Sequence, residues 1–311
     1  MSTPVKLVGF LLALVAVFVS ARGVGAVTEP VAEPTQPTAH DDMADDMADD
    51  MAGTEGDHGD AGGHDDGQGE ESEESHAPAG LQVSEEGYTF QVMSDPSAGR
   101  DRALRFLIEG PEGQPVTAYD EVDEQPLHLI KIRRDESGFE HVHPTLGEDG
   151  VWTARLTLAP GSTRLVADFT PTDGPELVLG TDLEVDGVYR PEAPTPVTRV
   201  AEVGDYQVEL TGDLISGESS PVTLSVTRDG EPVTDLQPYL GSYGHLVALR
   251  EGDLAYLHVH PEESGAGPEI PFLAEVPSTG RYRLFLDFRH DGVVRTAPFT
   301  LTAEGGQGDE H

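Results

Sequence analysis

The chain has 311 residues, no cysteine, and 58 acidic against 18 basic side chains, a formal net charge of −40. That length accommodates two domains with tails. The lack of cysteine excludes disulfides, thiolate metal sites and a lipoprotein anchor, and the charge disfavours nucleic acid and favours cations as ligands.

Residues 1–26 read as a targeting segment. Lys6 supplies a positive start, residues 7–19 are an uninterrupted apolar run, and Val24-Gly25-Ala26 offers small residues for cleavage. Residues 7–27 are also long enough to stay as a membrane anchor, with Arg22 reaching to the interface. Either reading exports the bulk of the protein, and if the segment is retained residues 7–27 are its only membrane contact. Residues 27–80 form an acidic tether rich in His and Met, with the tandem HDDMADDMADDMAG and His58, His64 and His76. It has too little apolar surface to offset chain entropy and is expected to be disordered. As a spacer it holds the folded part off the membrane. As a cation collector it offers thioether, imidazole and carboxylate ligands.

Residues 81–190 alternate apolar and polar side chains in short runs separated by Gly, Pro and Asp turns. Residues 197–303 repeat the same order of strands after the Pro-rich linker YRPEAPTP, and residues 304–311 are an acidic tail. No 3.6-residue pattern stands out. The prediction is an all-β chain of two tandem Ig-like β-sandwich modules. Trp152, the only tryptophan, is assigned to a core.

The stretch GHLVALREGDLAYLHVHP, residues 244–261, reads as a β-hairpin. A two-residue turn at Glu251-Gly252 would pair Arg250 with Asp253 and set His245 opposite His258. Side chains alternate faces along a strand, so His245, His258 and His260 share one face. Opposed Cβ atoms lie about 5 Å apart and diagonal ones about 7–8 Å. The same spacing recurs at His128, His141 and His143, and both copies close on His-Val-His-Pro. Asp168 and Asp287 occupy matching positions further on, before Phe169 and Phe288. The expectation is one imidazole cluster in each module, His128/His141/His143 and His245/His258/His260, holding a copper or zinc ion. A variant keeps only His258 and His260, with Asp287 as third ligand. The plain alternative is that these histidines are packed residues, copied because the fold was copied.

In the second copy, Tyr239-Leu240-Gly241, His245, His258-Val259-His260-Pro261, Phe288 and Pro298-Phe299-Thr300-Leu301 carry a resemblance. They are similar to bacterial extracytoplasmic secreted or heavy-metal-binding proteins, which resemble the small Ig-like copper-carrier domains of the cell exterior. That resemblance implies a metal-associated, non-catalytic role. The first copy departs from it, with Pro126-Leu127 ahead of His128.

An enzyme reading has one foothold. His141, His143 and Glu148 have the spacing of a cupin metal motif, but the second copy and the later cupin histidine do not match it. The His-Val-His of copper/zinc superoxide dismutase comes with a disulfide that this chain lacks. No nucleophile constellation or phosphate loop appears. The remaining class is a non-catalytic surface protein of tandem Ig-like modules, for interaction or structure. Metal ions are the expected partners, and an unidentified extracytoplasmic protein is left open as another.

Overall fold

The computed structural model describes residues 78–94, 97–257 and 259–306. The targeting segment, the tether up to residue 77, His258 and residues 307–311 lie outside the described residues. Among the described residues every regular element is a strand, and no helix is long and apolar enough to cross a membrane.

The first module contains β1 (Ser84–Glu85), β2 (Tyr88–Val92), β3 (Gly99–Glu109), β4 (Tyr119–Asp120), β5 (His128–Arg133), β6 (Glu140–Val142), β7 (Thr145–Leu146), β8 (Val151–Leu158), β9 (Gly161–Pro171) and β10 (Leu177–Val185). The second contains β11 (Val200–Val203), β12 (Tyr206–Thr211), β13 (Leu214–Ser216), β14 (Ser219–Arg228), β15 (Glu231–Pro232), β16 (His245–Arg250), β17 (Tyr256–Leu257), β18 (Val259–Pro261), β19 (Glu269–Glu275), β20 (Gly280–His290) and β21 (Val293–Gly305). Each module is a sandwich of two sheets. The outer sheets run β1-β2-β3-β8-β7 and β11-β12-β14-β19-β18, and the inner sheets run β10-β9-β5-β6 and β13-β21-β20-β16-β17. The chain is all-β, with two repeated sandwich modules, as its alternation predicts.

Each sandwich has its own core. Trp152, fully buried, packs with Phe106, Leu129, Leu165 and Ala167 in the first. Leu246, Leu284, Leu286 and Phe288 lie in the second. A third core lies between the modules. Ile130, Ile132, Val166 and Val178 of the first inner sheet meet Val247, Leu249, Leu254 and Phe285 of the second. Strand β5 is therefore buried along both faces. Odd positions such as Leu129 point into their own sandwich, and even positions such as Ile130 point at the other module. Burying one such side chain is worth about 1.5–3 kcal/mol. Polar contacts at the hairpin tips add less. Arg134 Nη1 donates to the Asp253 carbonyl at 3.1 Å, and Gly252 N donates to Glu136 Oε1 at 3.3 Å.

The end of the expected tether is a strap across this junction. Tyr256 N of the second module donates to the Ala79 carbonyl at 2.9 Å, while Gly80 N donates to Val178 O at 2.9 Å and Gly180 N to Gln82 O at 2.7 Å. Arg164 Nη2 donates to the carbonyls of Gly80 and Leu81 at 2.5 and 2.7 Å. The approach is close enough that a Cβ on Gly180 would sit 1.9 Å from the Gly80 oxygen, so only glycine fits.

Both hairpins depart from the expected register. In the second, Arg250 N donates to Ala255 O at 2.9 Å and Leu254 N to Arg250 O at 3.0 Å, so a four-residue loop replaces the two-residue turn. Ala248 pairs with Leu257 and Leu249 with Tyr256. The reason is Leu254. It adopts a left-handed φ of 64°, is fully buried and belongs to the intermodule core. Asp253 supports the loop by accepting from Ala255 N at 3.1 Å. In the first hairpin Ile130, not His128, faces His141. A shift of two keeps the paired side chains of β5, β6, β16 and β17 on their predicted faces.

The two copies then differ in where the chain crosses to the outer sheet. In the first it crosses after β6, and Thr145 pairs with Thr153 of β8. In the second it has crossed by Val259, which pairs with Ala274 of β19, and His260 pairs with Leu273.

Phe139 and Phe285 stack across the junction with ring centroids 3.8 Å apart. Phe285→Ala is expected to destabilise the chain by about 3 kcal/mol, read from the denaturant midpoint. A loss below about 1 kcal/mol, within the reach of a surface change, would contradict an intermodule core.

Candidate metal centre at the module junction

The alternation that sends Ile130 and Ile132 to the junction also sends His128 there, and Phe139, His141 and His143 follow from the facing strand. In the second module the same face carries Val247 and Phe285, and with them His245 and Asp287. These polar side chains gather at one end of the intermodule core.

One nitrogen from each of His128, His141 and His143 lies within 4.8 Å of the others. His128 Nδ1 and His141 Nε2 are 3.0 Å apart. His141 Nδ1 lies 2.9 Å from Asp287 Oδ2, with the two side chains only 1% and 4% exposed. Thr296 Oγ1 donates to the other Asp287 oxygen at 2.5 Å. His128 Nε2 lies 3.0 Å from the Val122 carbonyl. His143 Nε2 is buried without a hydrogen-bond partner among the described residues.

The protons on this network are constrained by its acceptors. A carbonyl only accepts, so His128 Nε2 carries the hydrogen and Nδ1 presents a lone pair. An ionised Asp287 also only accepts, so His141 donates from Nδ1 and presents a lone pair from Nε2. Two lone pairs then face each other across 3.0 Å, beside the unpartnered Nε2 of His143. A shared proton or a cation between them would relieve that opposition. Two nitrogens each about 2.1 Å from a tetrahedral zinc stand roughly 3.4 Å apart, a few tenths beyond the observed spacing. A donor set of three imidazoles, one braced by a carboxylate, fits zinc or copper(II).

Burial sets the charge states. Burial, then the neighbouring His128, hold His141 down at about 3. Burial, then His141 and His128, hold His143 at about 3. His245 is pushed well below the usual imidazole range by burial and then by His141. Burial raises Asp287 to about 6, against the lowering effect of the Thr296 hydroxyl. His141, His143 and His245 are thus neutral near neutral pH.

His245 flanks this cluster. Its ring stacks on His128 at 5.4 Å and on His141 at 4.8 Å, and its Nδ1 faces Asp123 Oδ2 at 3.6 Å. His260 is exposed on the outer sheet, and His258 lies outside the described residues. Among the described residues there is no second separate histidine group of this kind. Among the described residues the expected first-module cluster is present at the junction, with His245 beside it, while the expected grouping of His245 with His258 and His260 involves a residue outside the described ones. Asp287 braces His141 of the other module and is not seen beside His260.

Sequence reasoning did not assign Tyr239, Asp123 or the Val122 carbonyl to the site. The Tyr239 ring lies 6.4 Å from that of His143, and burial, then Asp287, raise its hydroxyl to about 12. Tyr239 opens a tight loop closed by its N–H donating to Ser242 O at 2.8 Å, with Leu240 and Gly241 left-handed. The first module builds the same loop from different residues. Val122 N donates to Gln125 O at 2.9 Å, and Asp123 and Glu124 are left-handed at φ 48° and 62°. The shared signal was the position ahead of each first histidine, which differing residues concealed.

A family described as "domain of unknown function (DUF8832)" matches residues 82–191 and again 201–305. No curated protein matches the sequence. Among solved structures, similarity extends to the Escherichia coli adhesin FdeC at 14% identity and TM-score 0.23, covering 71% of this chain and 65% of that one. Domains 5-6 of the S-layer protein SbsC give 13% identity and TM-score 0.23, covering 70% of this chain and 98% of that one. The Yersinia pseudotuberculosis adhesin InvE gives 11% identity and TM-score 0.22, with 70% and 59% covered. The chain thus spans 65% of the FdeC structure's length, and TM-scores this low carry no argument about function.

Metal-free protein should lose stability as pH falls. The folded-state values of His141 and His143 lie at about 3 against 6.5 for a free imidazole. Between those limits the unfolded chain binds protons that the folded chain refuses, so stability is full above about 6.5 and is lost below it. Asp287 has the opposite sign. Raised from 3.8 to about 6, it gains a proton first in the folded state and offsets part of the loss. Denaturant midpoints near pH 7.5 and pH 5 should differ in the wild type and converge in a His141→Gln, His143→Gln variant. An equal pH dependence in both would show that these rings do not govern it.

Proposed function

We propose that the chain, which belongs to the DUF8832 family through both of its modules, is an exported, non-catalytic protein that captures a borderline divalent ion, copper(II) or zinc. The observation that carries this reading is the buried, unpartnered Nε2 of His143 beside two ring nitrogens 3.0 Å apart. Leaving a buried polar atom unpaired costs about 1–3 kcal/mol, a cost that coordination removes. The strongly acidic chain raises the local cation concentration, and the His- and Met-rich sequence ahead of residue 78 can extend capture. The apolar segment at residues 7–19 supports export.

A second reading has its own support. His128, His141 and Asp287 already have hydrogen-bond partners inside the protein. A stack of sandwiches fastened by a third core is also a stiff body suited to a surface interaction or structural role. On that reading the histidines are polar packing.

Titration of the full chain with copper(II) and with zinc separates the two. The variant carrying His128→Ala, His141→Ala and His143→Ala should lose one tight site and keep the weaker binding of the tether. Retention of all tight binding by a folded variant would discard the metal reading and leave the interaction reading standing.

A further inference from the structure

We infer that the junction is a metal-closed clasp: an ion held by His128, His141 and His143 of the first module is coupled through Asp287 to the second, so that loading the site fastens the modules together. This rests on the metal reading above and adds to it a role for the second module.

The connection is continuous. His141 on the first inner sheet meets Asp287 on β20 at 2.9 Å, and Thr296 on β21 fixes the far oxygen of that carboxylate at 2.5 Å. Asp287 pairs with Thr296 in the β20–β21 ladder, so the brace is built into the sheet. A carboxylate behind an imidazole holds its tautomer and ring orientation and raises the basicity of the coordinating nitrogen. Here Asp287 obliges His141 to present Nε2 toward His128. Asp287 is thus a positioning residue, supplied across the module boundary.

The other repeat shows what the brace is not. Asp168 lies at the matching register, opposite His128 as Asp287 is opposite His245. It too reaches across the junction, to the hydroxyl of Tyr256. One aspartate closes the junction on a tyrosine hydroxyl, and the other closes it on a candidate ligand. Only the second can make the packing depend on an ion. Coupling of this kind is reciprocal: if Asp287 tightens the ion, the ion favours the packed junction by the same factor.

The test uses the full chain with zinc alone, near pH 7, followed by hydrogen exchange. One equivalent of zinc should slow exchange in β5 and β6 and also in β16 and β20. Asp287→Ala should weaken zinc binding by about 10–100-fold, the usual cost of losing such a brace. At saturating zinc, β5 and β6 should still be protected while β16 and β20 lose their zinc-dependent protection. Asp287→Asn keeps an acceptor for His141 and should fall between the two. If Asp287→Ala does not fold, Thr296→Val removes the anchor and leaves the carboxylate, with a smaller loss expected in the same direction. Protection confined to β5 and β6 in the wild type would overturn the clasp and keep the metal reading. No zinc-dependent change anywhere in the strands would overturn both.

Discussion

Everything at the junction follows from two inner sheets packing face to face. A sheet face in a lone sandwich meets water and carries polar side chains at low cost. Here it meets another sheet, so β5 and β16 are buried on both sides, and Ile130, Ile132, Val247 and Leu249 fill the space between. The polar residues on that face share the burial. His128 and Asp287 are 4% and 3% exposed. Burying such groups unpaired is costly, and they are tolerated because they meet one another.

Gene-level repetition makes the modules alike, and the junction makes them unlike. Both supply a histidine and an aspartate at matching register. The first also keeps His141 and His143 on the inner sheet, because its chain crosses to the outer sheet only after them. In the second, Leu254 is drawn into the intermodule core and the chain has crossed by Val259, so His260 pairs into the outer sheet opposite Leu273. Among the described residues the pseudo-symmetric sequence thereby yields one histidine cluster. Its polar demand is unequal as well: Asp168 is answered by Tyr256, whereas Asp287 is answered by an imidazole that must then present its other nitrogen to His128.

Much of this was legible from the residues. Alternation, turn residues and the repeat were enough for tandem sandwiches, because those signals are local. Strand parity put His128, His141 and His143 on one face, and a register error of two left that intact. The meeting of the modules was not legible. A run such as Leu129-Ile130-Lys131-Ile132 is compatible with burial on both faces, but it does not say what covers the second face. His245 beside His128, and Asp287 beside His141, are contacts between distant parts of the chain with no local signature. The Gly180 approach to Gly80 is equally silent, since a glycine in a strand fits many causes.

The central claim is that an ion belongs between three imidazoles of the first module, braced from the second. Crystals of the full chain grown with one equivalent of zinc, measured by anomalous diffraction at the zinc edge, address it directly. The account predicts a single strong peak bonded to His128 Nδ1, His141 Nε2 and His143 Nε2, with Asp287 still on His141 Nδ1. A well-ordered junction with no peak there, or zinc found only at other histidines, would contradict it.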